Sequence, residues 1–306
     1  MKKQKIAVVG LGKMGRGLIC NLRNKNYDVA GFDINESVCE DLRKQKIDAT
    51  NDIKTLASFF KQDERKLFFL MLPAGKIVDD FLDKLLLFLN EHDCVIDAGN
   101  SFYKDSIARY ERLQKKHIAF LDCGTSGGPS GALNGACTMI GGDENIYKEF
   151  KTIFDDISVE GGSLYVGKAG SGHFVKMVHN GIEYGMMQAI AEGYEVLFKS
   201  PYTIDLEKVS ALWNHGSVIR SWLIELMESI FSKSKNLENV RGVMNASGEG
   251  KWTVETALEL KVPVPVIALS LMMRDRSLDE NAFAGKIIAS LRNEFGGHEI
   301  LKAKSF

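Results

Sequence analysis

Five side chains between positions 176 and 184 have the types and the spacing to do chemistry together. Lys176, His179, Asn180, Glu183 and Tyr184 fall at i, i+3, i+4, i+7 and i+8. On a helix this spacing gathers an amine, an imidazole, an amide, a carboxyl and a phenol within an arc of roughly 140°. Such a face is too polar for a core stripe and carries too few charges for an ordinary solvated one. A desolvated amine can act as a base near neutral pH, and a carboxyl two turns away can return a proton, so the pair suits acid–base work on one bound molecule. The plain alternative is a Lys/Glu pair on a wet surface. Phe174, Met177, Val178, Ile182, Met186, Ile190 and Val196 supply an apolar remainder, which predicts a largely buried helix over 172–198.

The elements before this helix must deliver a ligand to it. Residues 5–9 form a short apolar run that leads into Gly10-Leu11-Gly12-Lys13-Met14-Gly15 and then a helical pattern. Strand, Gly-x-Gly-x-x-Gly, helix is the context required for a dinucleotide site. The first glycine makes the turn, the second admits a pyrophosphate, the third lets helix and strand approach, and the helix N-terminus faces the phosphates. The next strand ends in Asp33, followed by Ile34, Asn35 and Glu36. A carboxylate there accepts from ribose hydroxyls and repels a 2′-phosphate, which favours NAD over NADP. Asp33 could instead simply cap a helix starting near Glu36. Further strands at 66–72, 94–97 and 118–122 run into Leu72-Pro73-Ala74-Gly75, Ala98-Gly99-Asn100-Ser101 and Cys123-Gly124-Thr125-Ser126-Gly127-Gly128. In an open parallel sheet the ligand lies beyond the strands' carboxyl ends, so Asn100, Ser126, Gly127 and Gly128 are expected beside the nicotinamide. A flexible turn is the alternative for the last three. Strands at 136–140 and 162–166 flank a helix at 143–154. The pattern is an α/β Rossmann N-terminal domain over 1–167.

After 167 the strand signals stop. Helices are expected at 172–198, 205–213, 219–231, 253–260, 266–278 and 281–293, giving an all-α C-terminal domain over 168–306, with Pro201, Pro263 and Pro265 as breakers. Lys251, Arg274 and Arg276 are cationic candidates for anion capture, or else solvated surface charges. A cleft between the domains, walled by the helix at 172–198, is the expected meeting place of cofactor and substrate.

Composition excludes several classes. Net charge is −1, so no general affinity for nucleic acid or anionic membrane is implied, and an anionic ligand needs a local cationic site. The five cysteines lack metal-ligand spacing, which predicts no metal site and a reducing compartment. No apolar run reads as a leader or a membrane span, so a cytoplasmic location is expected.

With these motifs in hand, the chain resembles the decarboxylating 6-phosphogluconate dehydrogenases, in a shorter form that prefers NAD and has a reduced C-terminal domain. The likeness runs nearly end to end. Its most specific stretch is Gly-His-Phe-Val-Lys-Met-Val-His-Asn-Gly-Ile-Glu-Tyr at 172–184, similar to the family's active-site helix. Asp97-Ala98-Gly99-Asn100-Ser101 and Ser126-Gly127-Gly128 match two further family motifs. The resemblance implies oxidation and decarboxylation of 6-phospho-D-gluconate to D-ribulose 5-phosphate and CO₂, with hydride passing to NAD, as in gluconate metabolism and the pentose phosphate pathway. Lys176 is implied as general base and Glu183 as general acid. Asn100, Ser126, Gly127, Gly128, His179, Asn180, Tyr184 and Arg274 are implied as substrate ligands. Arg292 and His298 are implied to complete the site of a neighbouring subunit in a homodimer.

The sequence also departs from the family. Asp33-Ile34-Asn35 stands where NADP-dependent members carry Asn-Arg-Ser/Thr, and Ser247 stands where the family has a phosphate-binding lysine. Glu249 replaces a threonine, so phosphate recognition is expected to weaken or to shift to Lys251 or Arg276. A related β-hydroxyacid dehydrogenase acting on another small 3-hydroxy acid is the alternative. It shares the glycine turn, the Ser-Gly-Gly and the lysine, but has no need of Glu183. A dinucleotide-binding protein without catalysis would need no intact Lys/Glu face.

Overall fold

A computed structural model describes residues 4–279, 282–296 and 299. Packing divides the chain into one compact unit reaching to Asn180 and a second starting at Gly181. The boundary expected at 167/168 differs from this division by the first turns of one long helix, which pack against the sheet of the first unit.

The first unit is built on β1 (Lys5–Val9), α1 (Lys13–Asn24), β2 (Asp28–Phe32), α2 (Glu36–Lys44), β3 (Asp48–Thr50), α3 (Ile53–Ser58), β4 (Leu67–Leu70), α4 (Lys76–Leu85), β5 (Cys94–Asp97), α5 (Tyr103–Gln114), β6 (Ala119–Ser126), α6 (Gly128–Asn134), β7 (Ala136–Gly142), α7 (Glu144–Ile157) and β8 (Ser158–Gly167). The strands form one eight-stranded sheet in the order β3-β2-β1-β4-β5-β6-β7-β8. The first six run parallel, β7 reverses against β6, and β8 runs parallel to β7. Successive strand side chains alternate between faces. Ile6, Val8, Phe69, Ile96 and Leu121 therefore join one buried cluster, while Ala7, Val9, Phe68, Val95 and Phe120 join another on the opposite face. Helices cover both faces, which is why the strands read as continuous apolar runs.

Helix α8 (Ser171–Lys199) leaves this unit and leads into the second. The second unit also contains α9 (Leu206–Gly216), α10 (Trp222–Lys233), α11 (Gly248–Glu259), α12 (Pro265–Ser277) and α13 (Phe283–Gly296). Asp205 and Ser221 cap α9 and α10 by accepting from Lys208 N and Ile224 N. Pro265 opens α12 at a position where its missing N–H costs nothing. Tyr194, Leu206, Ile224 and Phe231 make the core of this unit, with the rings of Tyr194 and Phe231 stacked 5.5 Å apart.

The expectation of a largely buried α8 is corrected. Ile182, Met186 and Val196 are 51%, 42% and 71% exposed, because the helices of the second unit pack against only part of its apolar surface. No helix among the described residues is long and apolar enough to cross a membrane.

The thiols provide a check on this packing. Cys39, Cys94 and Cys123 are buried, and burial raises all three, Cys123 to about 12. Cys137 is exposed. An aromatic disulfide reagent at pH 8 is expected to modify Cys137 first and these three only after unfolding. Prompt reaction of the buried thiols in the folded protein would contradict the packing described.

Candidate active site

The glycine turn after β1 is shaped for close approach. A Cβ on Gly15 would lie 1.8 Å from Gly10 O, whereas one on Gly12 would project into open space. Gly12 thus presents bare backbone at the start of α1, as a pyrophosphate requires. A cavity of about 660 Å³ lies beside it, bordered by Gly10, Lys13, Asp33, Leu72, Pro73 and Asn100, among others. Gly12, Met14 and Gly15 also line it, but Leu11 and Ala74 do not. Leu11 contributes instead through its backbone, donating from N to Asp33 Oδ2 at 2.8 Å. Asp33 Oδ1 accepts from Asn35 N at 2.9 Å, which leaves the carboxylate with further acceptor capacity. The cap of α2 is Asn35, which accepts from Ser37 N, so Asp33 is not spent as a helix cap. These features fit a dinucleotide.

Beside β5 in the sheet, β6 approaches α8 closely. Asp122, Gly124 and Ser126 alternate onto one face of β6. The fully buried Asp122 carboxylate accepts from Gly170 N (2.7 Å) and His173 N (2.8 Å), capping the start of α8 with negative charge. A Cβ on Gly124 would lie 2.4 Å from Lys176 Cβ and 2.7 Å from Gly172 O. One turn further on, Ser126 Oγ meets His179 Nε2 at 3.2 Å. His173 Nδ1, 2.7 Å from Ser106 Oγ, ties the first turn of α8 to α5.

Strand and helix therefore meet over two turns, and Lys176 is fixed between the anchors. It is 5% exposed. Its Nζ donates to Asn180 Oδ1 at 2.7 Å and lies 3.4 Å from His179 Nδ1, which is itself 2.9 Å from Asn180 Oδ1. Asn100 stands at the head of β5 in a left-handed conformation, φ +53°, and its Oδ1 accepts from Thr125 N at 3.3 Å. Gly127 (φ +117°) and Gly128 (φ +60°) make the sharp turn from β6 into α6, a geometry that side-chain-bearing residues rarely adopt.

A second cluster forms within the second unit. The Arg274 guanidinium lies 3.6 Å from the Tyr184 ring centroid and donates to Asn245 O at 3.0 Å. Ser247 donates from N to Tyr184 Oη at 2.9 Å, and its Oγ is also 2.9 Å from that hydroxyl. Lys251 is exposed and faces Glu255 at 3.6 Å. Arg276 is bound to Asp279 O at 2.8 Å. Glu183 is half-buried on α8, two turns beyond Lys176. Arg292 is exposed on α13, and His298 lies outside the described residues. No cluster of three or more His, Cys, Asp or Glu suited to a metal ion occurs among the described residues.

A profile described as the NAD binding domain of 6-phosphogluconate dehydrogenase matches residues 5–167, and one described as that enzyme's C-terminal domain matches 172–298. The chain belongs to the 6-phosphogluconate dehydrogenase family. It is 40% identical to the NAD(+)-dependent, decarboxylating 6-phosphogluconate dehydrogenase of Haloferax volcanii, over 97% of this chain and 98% of that one. It is 50% identical to Bacillus subtilis YqeC, a protein that bears the 6-phosphogluconate dehydrogenase name only provisionally, over 96% and 98%. The Plasmodium falciparum 6-phosphogluconate dehydrogenase, solved with NADP+ and with 6-phosphogluconate, superposes with a TM-score of 0.82 at 30% identity, over 99% of this chain and 67% of that one. Family members thus carry both NAD(+)- and NADP(+)-dependent names.

Several positioning groups escaped the sequence reading. Asp122, Ser106 and His173 carry no signal of their own in the sequence, and only the strand–helix contact shows their use. Asp33→Asn is expected to weaken NADH binding on the order of tenfold, since a charged acceptor is lost. NADP should lose less or gain. Fluorescence titration of both reduced dinucleotides checks this, and an unchanged ratio would contradict the role of Asp33.

Proposed function

We propose that the chain catalyses oxidative decarboxylation of 6-phospho-D-gluconate to D-ribulose 5-phosphate and CO₂, favouring NAD over NADP. The observation that carries this reading is the Lys176 amine held at the β6–α8 contact by Asn180 and His179, with Glu183 two turns on along the same helix face.

Gly10 to Gly15, Asp33, Leu72, Pro73 and Asn100 would hold the dinucleotide. When bound, it supplies the hydride acceptor. Lys176 takes the proton of the substrate's C3 hydroxyl as C3 is oxidised to a ketone. The resulting β-keto acid loses CO₂ because the electrons of the breaking C1–C2 bond flow into the C3 carbonyl. Protonated Lys176 stabilises the developing enolate oxygen. Glu183 then protonates the carbon that becomes C1 of the product. His179, Asn180, Ser126 and Asn100 would orient the carboxylate and hydroxyls, with Gly127 and Gly128 presenting backbone. Tyr184 and Arg274 would bind the phosphate. The NAD preference rests on Asp33 and on the lack of an arginine at 34 or 35.

The same reading includes a homodimer in which Arg292 and His298 of one copy complete the other's phosphate site. It is supported by apolar side chains left exposed in the second unit, among them Ile182, Met186, Leu269 and Met272, a pattern that marks association surfaces. Sedimentation at micromolar concentration should give twice the monomer mass. A monomer with full turnover would contradict this part.

The chemistry is tested by supplying 6-phosphogluconate and NAD and following NADH and CO₂ together. Wild type should form them in equal amounts. Lys176→Met should lose oxidation by about 10³-fold or more, a typical general-base contribution with its electrostatic share. Glu183→Gln should slow product formation while substrate binding is kept. Wild-type turnover in both variants, or NADH without CO₂, would overturn the assignment.

A further inference from the structure

Beneath the dinucleotide cavity lies a buried cation that does not line it. Arg109 of α5 is 2% exposed, and all its donor nitrogens are used. Nε and Nη2 donate to the two Asp79 carboxylate oxygens at 2.7 and 3.1 Å, and Nη2 also donates to Gly75 O at 3.0 Å. Nη1 donates to Asp97 Oδ2 at 3.2 Å and to Ser101 Oγ at 3.0 Å. Ser101 Oγ donates to Asp97 Oδ2 at 2.7 Å, and Asp97 Oδ1 accepts from Gly99 N at 3.2 Å. Burial works against its charge, but Asp79 and Asp97 hold the guanidinium above its ordinary value.

One side chain thereby joins two separate loops. Residues 72–75, at the head of α4, give Leu72 and Pro73 to the cavity. Residues 98–101, at the head of β5, give Ala98, Gly99 and Asn100. Asp97 and Ser101 bracket Asn100, whose left-handed backbone is costly for a residue with a side chain. The planar fork of an arginine can meet a bidentate carboxylate and a second loop at once, and a lysine cannot.

We propose that Arg109 is a positioning residue for the nicotinamide end of the dinucleotide site, setting the spacing of the two loops and the conformation of Asn100 through Asp97 and Ser101. This rests on the reading of the cavity as a dinucleotide site. In that role Arg109 controls dinucleotide affinity and leaves the sugar-acid subsites on α8 and α12 alone.

The test compares wild type, Arg109→Lys and Ser101→Ala by equilibrium NADH fluorescence titration, steady-state kinetics and urea unfolding. Arg109→Lys should weaken NADH binding on the order of tenfold, as one lost bidentate charged contact would. It should raise KM for NAD similarly and KM for 6-phosphogluconate by clearly less, since Asn100 is the one sugar-acid ligand it positions. Ser101→Ala, which strands no charge, should weaken NADH binding by a few-fold in the same direction. A folded Arg109→Lys with wild-type NADH affinity, or equal increases in both KM values, would overturn the proposal. If Arg109→Lys does not fold, Ser101→Ala decides alone, and unchanged NADH affinity in it would overturn the proposal. Failure of wild type to bind NADH would refute the cavity reading instead.

Discussion

The proposed chemistry depends on how closely one strand approaches one helix. β6 and α8 meet where Gly124 and Gly172 offer no side chains, and a methyl at Gly124 would collide with the stem of Lys176. Close packing of this kind turns small volume changes into displacements. It fixes the lysine stem from below while Asn180 holds the amine from above. Asp122 and Ser126 engage the turns on either side, so the lysine is clamped over two turns of helix. The cost is a fully buried carboxylate, which the two backbone donors at the helix start offset.

The same economy recurs at the dinucleotide cavity. Asp33 accepts from Leu11 N, so the carboxylate that shapes the glycine turn also borders the dinucleotide cavity. Arg109 does the corresponding work for the opposite wall, where two loops from different strands must keep a fixed spacing. Both walls of the cavity therefore use a charged side chain to hold loop backbone in place. Preorganised groups of this kind spare the reaction the reorganisation that water would impose.

Much of this was legible in the sequence because the signals were local. The glycine turn, Asp33 and the 3.6-residue spacing from Lys176 to Tyr184 are all read within one element, and each strand ahead of a glycine-rich turn announced itself by a buried apolar run. What escaped was set by long-range packing. β3 has three residues and no pattern of its own, and β3, α3, α5 and α6 went unread. The reversal of β7 depends on the tight turn at Gly127 and Gly128 and on a helix too short to cross the sheet. Arg109 and Asp122 look like ordinary charges until their partners on other elements are brought in. The burial of α8 was overestimated because its apolar residues are spread around the helix, so the sequence names no single covered face. The second unit alone leaves several of them in water.

The central claim, that the β6–α8 approach places the catalytic amine, is tested most directly by the methyl that the contact cannot hold. Gly124→Ala should keep NADH affinity within about twofold, because the dinucleotide cavity does not use Gly124, and should lower kcat on the order of a hundredfold, as displacements near 1 Å do in oriented sites. A folded Gly124→Ala enzyme turning over at the wild-type rate would contradict the account.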